Sequence, residues 1–334
     1  MNTKRWIALS IAVFLMVVSI GVNIVTTIFT SDFFSQFESF SKPELTEAIV
    51  EPGSFDERIA LLSVDGVIQD VGSSSPWAAL EYDHQRFLAT LDQILEDDTV
   101  KGVVLSVNSP GGGVMESDEI YQKLMKIKEE KKIPIYVSMQ SMATSGGYYI
   151  SAPADKIFAH RDTVTGSIGV IIQSYNYYEL AKNLGIEFET IKSGPHKDMF
   201  NGTRPSTDEE KAMMQEMINE SYEAFVDVVK QGRGMSESEV KRVADGRILS
   251  GNQALRAGLV DEIGTLEETI QALRKDHGLE DATLFEYESS FGTLSSLFAM
   301  KLGTIFGPSM EERLLIKLMN SYDAPRLMYL YGQN

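Results

Sequence analysis

The sequence predicts an α/β domain built on a largely parallel sheet. Two observations lead there. From residue 58 onward, short β-branched apolar runs alternate with segments of helical periodicity. Three chemically loaded segments then fall where a strand ends or a loop begins, and parallel sheets gather their sites at the carboxyl ends of strands.

The elements follow in order. Residues 58–71 read as extended chain with a bend at Gly66. Phe87, Leu88, Leu91, Ile94 and Leu95 recur at helical spacing, which predicts an amphipathic helix over 84–97. Residues 100–107 (VKGVVLSV) form a buried strand, and Ile120, Leu124 and Ile127 mark one face of the next helix. Residues 133–139 are a further strand, and a helix opens near Ser145. Segments 156–159, 168–172 and 186–192 are expected as strands, with a helix over 177–184 closed by Gly185. Thr207 with Glu210, and Ser236 with Glu239, have capping-box spacing ahead of a long and a short helix. Segments 251–257, 259–263 and 266–275 complete the folded region, giving a body over 58–285.

Residues 6–29 contain no charge, and as a helix would reach roughly 36 Å, enough to cross a bilayer. Lys4 and Arg5 precede the run, and Asp32, Glu38 and Glu44 follow it. This places residues 1–5 in the cytoplasm and the body outside, as a single-pass protein of the cell membrane. No small-x-small cleavage site follows, so the run reads as a retained anchor rather than a signal peptide. Residues 30–57 mix Ser, Pro, Gly and acids and are expected to be a stalk. The stretch 286–334 is apolar but interrupted by Lys301 and Lys317, so it reads as an extension for subunit contact or groove binding rather than a second span.

The 334 residues carry a net charge of −18, which speaks against a nucleic-acid partner. There is no cysteine, which removes disulfides, thiol nucleophiles and thiolate metal sites.

The chemistry rests on three segments. Residues 108–113 (Asn-Ser-Pro-Gly-Gly-Gly) can present backbone N–H groups to an anion, although glycine content alone equally describes a strand-to-helix turn. In 141–149 (Ser-Met-Ala-Thr-Ser-Gly-Gly-Tyr-Tyr), Ser145 stands where a strand ends and a helix begins. It is either an exposed nucleophile or an ordinary N-cap. Residues 192–198 (Lys-Ser-Gly-Pro-His-Lys-Asp) offer a base for such a serine. That base is either Lys197, if its amine is neutral, or a histidine, His196 or His160. Ser167, in 165–170 (Thr-Gly-Ser-Ile-Gly-Val), supplies a hydroxyl that could orient the base.

Together with Ala154-Asp155 and 244–247 (Ala-Asp-Gly-Arg), these segments give the chain a specific likeness. Over about residues 55–285 it resembles the bacterial signal peptide peptidase A family in its short, single-protease-domain, Gram-positive form. The resemblance implies a Clp-protease/crotonase-like ββα spiral with a helical extension. It implies a serine peptidase in which Ser145 is the nucleophile and Lys197 the base, Gly112 and Gly146 form the oxyanion hole, and Ser167 holds the lysine. It further implies substrates that are remnant signal peptides and other peptides with small or apolar side chains, and no cofactor or metal. The partners implied are the bilayer and seven further copies of the chain in an octameric ring, with Ser145 and Lys197 contributed by neighbouring subunits and far apart within one chain. The competing readings are a crotonase-like acyl-CoA enzyme and a catalytically inactive membrane scaffold. Residues 326–331 (Arg-Leu-Met-Tyr-Leu-Tyr) are expected either to lie in a peptide groove by strand addition or to pack between subunits.

Overall fold

The computed structural model describes residues 5–6, 14–16, 18–20, 45–70, 82–289 and 327–332. The chain divides into two compact units, 1–46 with 289–298, and 47–288 with 299–334. In the first, residues 5–6, 14–16 and 18–20 are helical and exposed. The expected span over 6–29 lies largely outside the described residues, among which no helix is long and apolar enough to cross a membrane.

The second unit carries the sheet. Strands β1 (Leu45–Glu51), β2 (Ser54–Asp65), β3 (Val100–Ser109), β5 (Ile135–Thr144), β6 (Lys156–Ala159), β9 (Glu262–Ile263) and β10 (Ala282–Ser289) run in the order β1-β10-β2-β3-β5-β6-β9. The pairings from β10 to β9 are parallel. Strand β7 (Val164–Gly166) continues alongside β5 and pairs antiparallel with β8 (Ile248–Ser250). The short β4 (Gly111–Gly113) leaves the sheet and pairs antiparallel with β11 (Met328–Leu330). The helices are α1 (His84–Glu96), α2 (Val114–Lys126), α3 (Gly146–Ser151), α4 (Tyr178–Asn183), α5 (Asp208–Arg233), α6 (Glu237–Lys241), α7 (Gly251–Arg256) and α8 (Leu266–His277).

Strand alternation explains the layers. Ala60, Leu62, Val64, Val103, Leu105 and Val107 face one side and pack with Leu91 and Ile94 of α1 and Ile120 and Leu124 of α2. Ile59, Val104, Tyr136 and Phe158 face the other side, against Ile270 and Leu273 of α8. A sheet covered on both faces needs apolar residues at successive positions, which is why β3 reads as a continuous run. At Gly102 a side chain would come 2.9 Å from Leu273, so glycine there sets how closely α8 lies on the sheet.

The structure departs from the sequence reading in three places. Part of the expected stalk, 45–57, forms β1 and the start of β2. Segment 168–172 is not a strand; the strand there is Val164–Gly166, and Ile171 makes only an isolated bridge to Met328. Segment 186–192 has no regular structure, and Ile186, Phe188 and Ile191 are exposed. Apolar content alone makes a run look like a strand, but without a neighbouring strand to accept its backbone groups it forms none.

Candidate active site

Strands β3 and β5 are neighbours, with Ser109 opposite Ala143, so their carboxyl ends deliver two loops to one place. From β3 comes Pro110 and the glycines of β4; from β5 comes Ser145, directly ahead of α3. Ser145 has φ 55 and ψ −116, a backbone conformation that L-residues with side chains rarely adopt. It is held there because its N–H donates to the Gly166 carbonyl (2.8 Å) while its own carbonyl accepts from Tyr149 (2.8 Å). Such strain concentrates at functional positions. Ser145 is only 1% exposed, and its side chain makes no capping hydrogen bond to α3. A simple helix cap would use its hydroxyl to accept a backbone N–H; this one does not.

The glycines sit in front of Ser145 without room for side chains. A Cβ on Gly146 would come 2.6 Å from Ser117 Oγ and 3.1 Å from the Gly112 nitrogen. The nitrogens of Gly112 and Gly146 therefore share one side of the site, as an oxyanion hole requires. Ile68 fixes β4 from outside, accepting from Gly113 (2.8 Å) and donating to Gly111 (2.9 Å).

The space facing this pair holds the chain's own residues 327–332. Met328, Tyr329 and Leu330 stand opposite Gly113, Gly112 and Gly111. On the other side Met328 exchanges both backbone hydrogen bonds with Ile171 (3.0 and 3.1 Å). The pairing runs on at both ends, from Val114 to the Leu327 carbonyl (3.4 Å) and from Tyr331 to the Pro110 carbonyl (2.9 Å). A Cβ on Gly111 would come 2.0 Å from the Tyr329 carbonyl oxygen and 2.6 Å from the Gly146 nitrogen, so that carbonyl and the Gly146 N–H face one small space. The Tyr329 ring fills a pocket beside Tyr149 (4.9 Å, stacked) and Phe225 (4.7 Å), and its hydroxyl donates to the Ser221 carbonyl (2.8 Å). Burial, and then the nearby Asp118, push the Tyr329 hydroxyl well above its usual range, so it is a donor at every working pH. Tyr149 is raised in the same way, by burial and by its hydrogen bond to Asp118.

Ser167 lies next to Ser145 in the fold, on the turn after β7. It too has a positive φ, 51, fixed by its N–H donating to the Arg247 carbonyl (2.8 Å). The Ala-Asp-Gly-Arg motif thus gains a role: it clasps the Ser167 turn from outside. Lys197 is not brought to this cluster. It is exposed on the segment between α4 and α5, its backbone N–H donates to Gly194 (3.3 Å), and no hydrogen bond joins it to Ser145.

Neither histidine alternative reaches the serine. His160 is exposed and sits beside Asp162 at 3.8 Å, and His196 lies 3.9 Å from both Glu209 and Glu210.

The Lys197 segment is tied to α5. Glu210 accepts from the Thr207 N–H (2.9 Å) in the capping box and from Arg204 Nη1 (2.9 Å). Arg204 first, and then the Thr207 N–H, lower the Glu210 carboxyl from 4.5 to about 2. A depressed carboxylate stabilises the fold fully above about pH 4.5 and loses that contribution as pH falls towards 2. Acidification through this window is expected to open residues 192–206 to cleavage by pepsin before the core melts. Protection that persists at pH 2 would show that other contacts hold the segment.

The profile of peptidase family S49 matches residues 127–280. A candidate signal peptide peptidase SppA of Enterococcus faecium is 42% identical, over 99% of both chains. The chain belongs to peptidase family S49. Protease 4 of Haemophilus influenzae is 28% identical over 83% of this chain and 47% of its own length. A chloroplastic serine protease SPPA of Arabidopsis thaliana is 30% identical over 64% of this chain and 32% of its own. As an S49 member this chain is a serine peptidase, which sets aside the acyl-CoA reading. Strand addition by residues 326–331 was one of two expectations for that segment, but two contacts of this site were not legible beforehand: the pocket that holds the Tyr329 ring and the Ile68 contact. Both join segments far apart in sequence, and nothing local signals them.

Proposed function

We propose that the chain is a membrane-anchored endopeptidase that uses Ser145 and Lys197 to degrade remnant signal peptides and other short apolar peptides. The observation that carries this reading is the extended segment 327–332 lying across Gly111–Gly113 with backbone pairing on both sides of the Tyr329 carbonyl. A groove that accepts chain before and after the reacting carbonyl suits internal bonds rather than chain ends. Lys197 of a neighbouring copy takes the proton from Ser145 Oγ as it attacks the carbonyl carbon. The Gly112 and Gly146 N–H groups hold the oxyanion, and Ser167 orients the amine. The protonated lysine then gives its proton to the leaving amine, and water releases the acyl group from Ser145. In this reading residues 6–29 anchor the chain with its catalytic unit outside the cytoplasm, and copies assemble as an octameric ring. Exposure of Lys197 and its lack of any bond to Ser145 favour a base supplied across a subunit boundary.

Mixing tests this. Ser145→Ala and Lys197→Ala rings are each expected to be inactive against an apolar fluorogenic peptide. Dissociated and reassembled together, they should regain a measurable fraction of wild-type activity, because some boundaries pair an intact serine with an intact lysine. Failure to recover in verified mixed rings would place both groups within one subunit. Activity in Lys197→Ala alone would exclude lysine as the base. A scaffold without catalysis predicts an inactive wild type.

A further inference from the structure

A lysine acts as a base only when uncharged, and an opposite charge within about 4–6 Å holds it protonated. The residue that follows Lys197 is Asp198, so the sequence alone places the wrong charge beside the base. In the fold that carboxylate is fully engaged elsewhere. Arg204 grips it with two bonds, Nε to Oδ2 (3.0 Å) and Nη2 to Oδ1 (2.7 Å), and Lys192 Nζ adds a third (2.6 Å). Arg204 also bridges to Glu210, through Nη1 (2.9 Å) and Nη2. The Asp198 and Glu210 side chains are 10% and 2% exposed, so neither turns outward.

The other charged groups around the segment are also accounted for. His196 lies 3.9 Å from Glu209 and from Glu210, and Asp208 pairs with Lys211 (3.1 Å). Two cations, Lys192 and Arg204, thus meet two carboxylates, Asp198 and Glu210. Lys197 alone among the segment's cations has no ion pair among the described residues.

Taking Lys197 as the base, we propose that Arg204 is a positioning residue that withholds Asp198 from it and so keeps the lysine amine available in its uncharged form. Arginine suits this task because its planar fork spans two carboxylates at once, which an ammonium group cannot do with the same geometry. The direction of the Asp198 shift agrees: hydrogen bonds from Arg204, then from Lys192, hold its carboxyl far below the usual range.

The test is the pH profile of kcat/KM in the full-length enzyme, read with an apolar fluorogenic peptide. Arg204→Met is expected to move the acidic limb up by about one pH unit, a roughly tenfold loss at any pH on that limb, with KM unchanged. Adding Asp198→Asn to Arg204→Met should return the limb to its wild-type position, an outcome that mere loosening of the segment would not give. A limb that does not move in active Arg204→Met, or that stays displaced in the double variant, overturns the proposal. If Arg204→Met fails to assemble, Arg204→Lys carries the same test, with a smaller shift expected and an unmoved limb again overturning it. Lys197→Ala separates the two levels. Retained activity there defeats the reading of Lys197 as base. An inactive Lys197→Ala with an unmoved Arg204 limb defeats only the role of Arg204.

Discussion

Ser145→Ala is expected to lower peptide hydrolysis by at least about a thousandfold while leaving the melting temperature almost unchanged. Loss of the hydroxyl removes the proposed nucleophile, and that hydroxyl does not cap the helix that follows it. Ser145→Gly should be equally inactive but more stable. A side chain at φ 55 and ψ −116 costs about 1–3 kcal/mol, and glycine relieves most of it. Glycine also loses about 0.5–1 kcal/mol through the greater freedom of its unfolded chain. The net gain of about 1 kcal/mol should raise the melting temperature by roughly 2–4 °C. Differential scanning calorimetry of the three proteins checks this ordering. If glycine melts no higher than alanine, the strain is not stored at this residue. If alanine keeps its activity, Ser145 is not the nucleophile.

Deleting residues 326–334 is expected to raise the rate of peptide hydrolysis tenfold or more at low substrate concentration. On the proposed reading the segment occupies backbone positions that a substrate would need, and a tethered occupant competes at an effective concentration on the order of millimolar. Tyr329 is 1% exposed, and an aromatic ring of this kind buries about 150–250 Å². Its removal uncovers the rings of Tyr149 and Phe225, so the same deletion should also lower the melting temperature. Activity up with stability down separates an occupant of the groove from a subunit contact. A ring that falls apart with no gain in activity would assign the segment to assembly instead. Tyr329→Ala in the full chain offers the milder form of the experiment and should move both quantities in the same directions by less.

Much of this architecture can be read from the chain because the signals are local. The capping boxes at Thr207–Glu210 and Ser236–Glu239 form as spacing predicts, and Gly185 closes α4 with φ 74. The helix over His84–Glu96 follows its apolar period. Ser145 stands out only when the motifs are taken together, since a serine between a strand and a helix is by itself as readily an N-cap. What escaped the sequence depends on partners distant along the chain. Residues 186–192 look like a strand by composition, yet no strand lies beside them, and of residues 168–172 only Ile171 pairs, in an isolated bridge to Met328 of β11. Residues 45–57 look like a linker, yet β10 and β2 give them a place in the sheet. Arg204 carries no motif, and its importance emerges only when two carboxylates from different turns are seen to converge on it.

The double pairing of residues 327–332 has a consequence for what can be hydrolysed. A peptide bound in that way becomes the central strand of a small antiparallel sheet, with its backbone groups bonded left and right. Those groups must be vacant beforehand. In the interior of a helix they are already committed within the helix, and a side chain of the right shape does not release them. On the proposed reading the groove discriminates by conformation before it discriminates by sequence: a helical segment has to unwind over several residues to be cut. Among peptides with identical residues at the reacting bond, the order of cleavage should follow how readily each gives up its helix, and intact membrane-spanning helices are spared by the same rule that exposes loose fragments.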